Sequence, residues 1–196
     1  MKRVIGMDID GVIADFVRGF TAKGREKFGQ TIPVVHTERH MSWDEFPGLG
    51  EHEQHMIWEH IRGSSNFWRF LSPCVPVYVF GSLSQISQEF PLYFITKRSL
   101  GVNVKQQTEG WLNDHGIANP TVLITGAKGE AAKALGLTHY IDDKAGNAVF
   151  TKYNSPETDV YLIDRKYNQF DASNVGTKVK RVQTVEQFLT EVLKGE

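Results

Sequence analysis

The chain has 196 residues, 40% of them apolar and 23% charged, with a formal net charge of −1. This length and balance fit one α/β domain with an elaboration, or two small domains, and exclude a disordered chain. The charge excludes a protein that tracks a nucleic-acid polymer, which needs a basic stripe, but small anionic substrates need only local lysines and arginines.

Val4, Ile5, Gly6 and Met7 form an apolar run that reads as a buried strand, and Asp8-Ile9-Asp10-Gly11-Val12 lies at its end. Val12, Ile13, Phe16, Val17 and Phe20 then recur at helical spacing. Before the next strand candidate, at 92–95, lies far more chain than a crossover helix of about a dozen residues requires. The excess, 30–73, has turn chemistry at Thr31-Ile32-Pro33 and Phe46-Pro47-Gly48-Leu49-Gly50 and a helical pattern over 51–61. Its large side chains are mostly aromatic: Trp43, Phe46, Trp58, Phe67, Trp68 and Phe70. An insertion leaving the core just past Asp8 and Asp10 overhangs that end of the sheet, so 30–73 is expected to be a small helical cap, with Phe46 and Trp58 packing it. Residues 1–29 and 74–196 form the expected core.

Val79, Phe80, Leu83, Ile86 and Phe90 mark a helix ahead of the strand at 92–95. A helix over 104–115, closed by Gly116, a strand at 122–124 and a helix over 128–135 follow. Strands are expected at 139–141 and 160–163, and a last helix carries Val185, Phe188, Leu189, Val192 and Leu193. Thr184 caps that helix, with Gln187 three residues on. Strands alternating with helices argue for an α/β fold, a parallel sheet covered on both faces.

Ligands of such sheets bind outside the carboxyl ends of the strands, and four of these ends carry chemistry. The first gives Asp8 and Asp10, and the second Thr96, Lys97 and Arg98. Lys128 opens the helix after the third, and the fourth gives Asp142 and Asp143 with Asn147 beyond. Adjacent carboxylates repel unless a cation or a proton offsets them, and oxygen donors suit a hard ion such as Mg²⁺ that also binds phosphate. Lysine at a helix start favours an anion beside it, and carboxylate, Mg²⁺ and phosphate together point to phosphoryl transfer.

These residues, in this order and spacing, resemble the four motifs of the haloacid dehalogenase (HAD) superfamily: Asp8-Ile9-Asp10-Gly11-Val12, then Thr96, then Lys128, then Asp142-Asp143 with Asn147. Within it, Asp10 to Phe16, the insertion after the first helix, Asn66 to Leu71, Ile141-Asp142-Asp143-Lys144 and Tyr161 to Asn168 resemble the 5′(3′)-deoxyribonucleotidase family. Thr96-Lys97-Arg98 departs from the Thr-Ser-Pro-like run of the animal enzymes. The resemblance implies a HAD-like Rossmannoid core with a cap, and a Mg²⁺-dependent phosphatase of nucleoside monophosphates. It implies Asp8 as nucleophile, Asp10 as general acid and then base, and Thr96 and Lys128 as phosphate and charge contacts. Asp8, the Asp10 carbonyl and Asp142 or Asp143, with Asp143 favoured, would hold the metal. Phe67 and Trp68 would bind the base, with Trp43 and Phe16 behind them, and related enzymes imply a homodimer.

Other readings compete at several positions. Lys97 and Arg98 are substrate contacts or simply a polar loop. Lys133 lies mid-helix, where a solvated lysine is the default, and His52, His55 and His60 lack the spacing of a zinc-protease pair. The substrate is a nucleotide or another small phosphomonoester such as a sugar phosphate, and a non-catalytic nucleotide sensor is the third possibility. Cys74, the only cysteine, excludes an intramolecular disulfide, reads as a packing residue and fits a reducing compartment. With no signal-peptide region and no run of membrane-spanning length, the expectation is a cytoplasmic protein without a membrane partner.

Overall fold

Six short runs dominated by β-branched, aliphatic and aromatic side chains pair into one sheet in a computed structural model that describes residues 3–29, 49–98, 100–173 and 178–194. The strands are β1 (Ile5–Met7), β2 (Leu92–Thr96), β3 (Thr121–Ile124), β4 (His139–Asp142), β5 (Asp159–Ile163) and β6 (Val179–Val182). All are parallel, in the order β3-β2-β1-β4-β5-β6. The helices are α1 (Phe16–Phe28), α2 (Glu51–Arg62), α3 (Val77–Glu89), α4 (Val104–Asp114), α5 (Lys128–Leu135), α6 (Ala145–Asn154) and α7 (Val185–Leu193).

Side chains alternate across the strands, and this divides the core in two. Phe94, Ile141, Tyr161 and Ile163 point into one layer with Phe16 and Phe20 of α1, Phe80 of α3, Trp111 of α4 and Phe188 of α7. Ile95, Tyr140, Val160 and Leu162 point into the other, against Ala132 of α5 and Ala145 and Ala148 of α6. The sheet is therefore buried on both faces, as parallel sheets require. Ile57 and Ile61 of α2, with Phe67, Trp68 and Leu71, belong to the same core as α1 and β1, so the described part of the insertion is sewn into the main body.

Strand order reverses between β1 and β4, and that crevice is where such sheets bind ligands. Met7 is level with Ile141, and Asp8 N–H donates to the Ile141 carbonyl at 2.9 Å, so Asp8 and Asp142 leave the sheet side by side. Beyond Asp8 the chain does not enter a helix at Val12, contrary to the apolar spacing. The N–H groups of Val12, Ile13 and Ala14 all point to the Ile9 carbonyl, closing a tight turn, and α1 starts only at Phe16 with Asp15 accepting from Arg18 N–H. Gly11 makes this turn with φ +78°, a region other residues rarely adopt.

Two elements escape the sequence reading. α6 buries Ala145, Ala148 and Thr151 while Val149, Phe150 and Tyr153 face solvent, which inverts the usual pattern. β6 is an edge strand carrying Lys180 and Arg181, and its charge masks its strand character. α7 matches its expected cap: Thr184 Oγ1 accepts from Gln187 N–H at 3.2 Å, and Gln187 Oε1 accepts from Gln183 N–H at 2.7 Å. Cys74 is exposed rather than packed. Trp43, Phe46 and the turn at 31–33 lie outside the described residues. Among the described residues no helix is long and apolar enough to cross a membrane.

Candidate active site

Three carboxylates meet at the mouth of the β1–β4 crevice. Asp8 follows β1, Asp142 ends β4 and Asp143 is next to it, and one oxygen from each lies within 4.8 Å of the others. All are buried. Lys128, the first residue of α5, reaches in from the neighbouring connection, with Nζ 2.8 Å from both Asp8 Oδ2 and Asp142 Oδ2.

The three acids are not equivalent. Asp142 is saturated: Oδ2 accepts from Lys128 and from Tyr140 Oη at 2.6 Å, and Oδ1 accepts from Lys144 N–H at 2.9 Å and Asn147 Nδ2 at 3.0 Å. Burial pushes its carboxyl up, but the adjacent Lys128 cation and these donors hold it below the ordinary range. Asp143 Oδ2 accepts from Tyr167 Oη, while its buried Oδ1, like Asp8 Oδ1, has no partner among the described residues. Burial, with the charge of Asp142, lifts Asp143 to about 6. Burial also holds Asp8 well above the usual range against the pull of Lys128, and the charges of Asp142, Asp143 and Asp10 add to the rise. Lys128 is held above its ordinary value because Asp142 and Asp8 overcome the effect of burial.

Two open, buried carboxylate oxygens beside a third, fully engaged carboxylate make a donor set with unmet demand for positive charge. Hard oxygen donors of this kind fit Mg²⁺. Asp8 and Asp143 have the free lone pairs, whereas Asp142 is a support for Lys128, Lys144 and Asn147.

Residues beyond β5 brace the site, although only their family resemblance singles them out in the sequence. Asn168 Nδ2 donates to the Asp143 carbonyl at 2.7 Å and to the Ile163 carbonyl at 2.8 Å. Arg165 holds the Asp8–Asp15 turn through Gly11 O at 2.6 Å and Val12 O at 3.1 Å. Side chains bonding to a residue's own backbone and carboxylate fix its orientation, as outer-shell partners do in metal sites.

The other expected site residues fall in different surroundings. Thr96 is buried at the end of β2, and Lys97 is exposed. Arg98 is buried, and its side chain grips Asp10: Nε–H to Oδ2 at 2.9 Å and Nη2–H to Oδ1 at 2.7 Å. In the loop after β2 its guanidinium is thus engaged by Asp10 rather than turned to solvent. Phe16, Phe67 and Trp68 are also buried, because they pack on one another: Phe16 stacks on Trp68 at 5.7 Å between centroids, and Phe67 meets Trp68 edge-on at 4.8 Å. Packed this way, the rings offer no open face to a base. Trp58, expected to pack the insertion itself, packs instead onto Phe16 and Phe20 of α1.

A parallel sheet in this order, with Asp8 and Asp10 after β1, a lysine opening α5 and the pair Asp142–Asp143 at the end of β4, defines a HAD-like α/β fold. The fold is shared with a haloacid dehalogenase-like hydrolase from Burkholderia xenovorans, at TM-score 0.60 and 14% identity over 99% of both chains. It is shared also with a hydrolase from Pseudomonas syringae, at TM-score 0.58 and 16% identity over 98% of this chain and 100% of the other. A HAD family hydrolase from Deinococcus radiodurans, solved with phosphate and sodium bound, matches at TM-score 0.59 and 10% identity over 97% of this chain and 96% of its own. No curated protein matches the chain. The family described as 5′ nucleotidase, deoxy (pyrimidine), cytosolic type C matches residues 2–190, and the chain belongs to it. It is accordingly a phosphoric monoester hydrolase of the nucleotidase type.

Proposed function

We propose that the chain is a Mg²⁺-dependent phosphatase of nucleoside monophosphates that works through a phosphorylated Asp8. The observation that carries this is the pair of open, buried oxygens, Asp8 Oδ1 and Asp143 Oδ1, beside Lys128. Asp8, Asp143 and the Asp10 main-chain carbonyl would hold Mg²⁺, which supplies charge for the phosphoryl oxygens.

An Asp8 oxygen attacks phosphorus while the bond to the ester oxygen breaks, and Asp10 gives that oxygen its proton. Asp10 then takes a proton from the water that attacks the acyl phosphate, releasing inorganic phosphate and restoring Asp8. Lys128 holds the second Asp8 oxygen and offsets charge gathering on the phosphoryl group, and Thr96 donates its hydroxyl to a phosphoryl oxygen.

Residues 30–73 act in this reading as the cap that selects the leaving group. A base meets Phe67 and Trp68 once the packed rings part, and Lys97 and Trp43 add to the substrate contacts. The cytosolic description of the family supports a cytoplasmic enzyme, and the family resemblance supports a homodimer. The closed packing of Phe16, Phe67 and Trp68 favours a second reading, a smaller phosphomonoester that needs no ring to stack on.

Phosphate release from a panel of ribo- and deoxyribonucleoside 5′- and 3′-monophosphates and sugar phosphates, with Mg²⁺ or with EDTA, tests both readings. Nucleotide turnover that vanishes in EDTA is expected. Turnover confined to sugar phosphates supports the second reading, and full activity in EDTA removes the metal.

A further inference from the structure

Arg98 is nearly inaccessible, yet a guanidinium is charged at every working pH, so its partners decide what it is for. It leaves the sheet two residues beyond Thr96 and turns its fork onto both oxygens of Asp10, at 2.7 and 2.9 Å. Nη1–H donates to Thr108 Oγ1 at 3.2 Å, and that hydroxyl donates to the Val104 carbonyl at 2.8 Å. The guanidinium carbon lies 4.9 Å from the centre of the Trp68 ring. Trp68 is itself fixed, with its indole N–H on the Leu100 carbonyl at 2.7 Å and its backbone N–H on Gln107 Oε1 at 2.9 Å. One side chain thus links a residue of the insertion to the carboxylate read above as the acid.

We propose that Arg98 is the positioning residue of Asp10 and that Trp68 sets where Arg98 stands. This rests on the reading of Asp10 as general acid. A planar fork gripping both carboxylate oxygens fixes the group's place and its tilt, as a single-point ammonium does not. As the ester P–O bond breaks and the Asp8–phosphorus bond forms, the Asp10 proton passes to the departing oxygen and Asp10 becomes a carboxylate. Arg98 is already aimed at that carboxylate, so the charge forms facing a preset partner. Misplacing a reacting group by about 1 Å can cost roughly 10²-fold, so a link from Trp68 through Arg98 lets the insertion control the chemistry at a distance.

The test uses two small aryl esters that differ by a para nitro group, phenyl phosphate and 4-nitrophenyl phosphate, whose leaving oxygens differ in their need of a proton. Arg98→Gln and Arg98→Lys are compared with the parent chain by kcat/KM in Mg²⁺, with melting temperatures taken alongside. The expected result is a loss about tenfold larger on phenyl phosphate than on 4-nitrophenyl phosphate for Arg98→Gln, part of the roughly 10²–10⁴-fold that a general acid supplies. Arg98→Lys, which keeps the charge without the fork, is expected between the two and serves alone if Arg98→Gln does not fold. A structural role alone lowers both substrates by one factor, and that outcome overturns the proposal. Asp10→Asn separates the two layers. If it discriminates between the esters and the Arg98 variants do not, the proposal fails by itself. If Asp10→Asn does not discriminate, Asp10 is not the acid and the proposal falls with that reading.

Discussion

Asp143→Asn should make the metal-free protein more stable and the metal-loaded protein less so. In the folded chain burial, with the charge of Asp142, raises Asp143 from 3.8 to about 6. At about 1.36 kcal/mol for each tenfold change in proton affinity, that rise amounts to about 3 kcal/mol. The folded-state value is raised, so the stability linked to this proton is complete below about 4 and is lost as pH rises through about 6. At pH 7.5 in EDTA the parent chain therefore carries a buried carboxylate whose charge Tyr167, Lys128 and Lys144 only partly offset. The asparagine carries no charge, and its side-chain carbonyl can still accept from Tyr167 Oη. Removing the charge also relieves Asp8, which Asp143 helps to raise. The variant should melt up to about 10 °C higher, from about 2–4 °C per kcal/mol for a chain of this size. The gain should vanish near pH 4. On the proposed Mg²⁺ site, adding Mg²⁺ at about 100 times its dissociation constant should stabilise the parent by about 2.7 kcal/mol, while the variant, short of one proposed ligand, should gain far less. Circular-dichroism melts at the two pH values, with EDTA or Mg²⁺, read all four states. A variant that melts below the parent in EDTA at pH 7.5, or that keeps the full Mg²⁺ shift, refutes the reasoning.

Asp8→Asn is expected to abolish phosphate release while leaving the melting transition cooperative, and substantial residual turnover removes Asp8 as nucleophile. Lys128→Met strips the cation from two buried carboxylates and should lower stability by about 3–5 kcal/mol; an unchanged urea midpoint contradicts that balance. Tyr167→Phe leaves Asp143 Oδ2 without its donor and should weaken Mg²⁺ binding by about 10–100-fold in a calorimetric titration. Equal affinity in that variant confines Tyr167 to packing.

The sheet is legible in the sequence because five of its strands are continuous apolar runs, and burial on both faces demands nothing else. The sixth is hidden because an edge strand tolerates Lys180 and Arg181, and α6 is hidden because it turns Val149, Phe150 and Tyr153 outward. The convergence of Asp8, Lys128, Asp142 and Asp143 is legible for a related reason: each directly follows, ends or opens an element whose end the topology brings to one crevice. What each oxygen does is not legible. That Asp142 is saturated while Asp143 keeps an open oxygen depends on Tyr140, Asn147 and Tyr167, which reach the acids through side-chain geometry. The fork of Arg98 on Asp10 spans 88 positions of the chain, and no local pattern announces it. Aromatic residues in an insertion look the same on paper whether they wait for a base or pack away, as Phe67 and Trp68 do against each other and Phe16 of α1.

Position 11 sets how near the two acidic turns can come. A methyl group there would stand 2.2 Å from Asp143 Oδ2 and 2.5 Å from the Tyr167 hydroxyl, so even alanine would act as a wedge between the two loops. The spacing on which any shared ion depends is thus written as a missing side chain, and a search for chemistry that looks only for functional groups would pass over the residue that lets them meet.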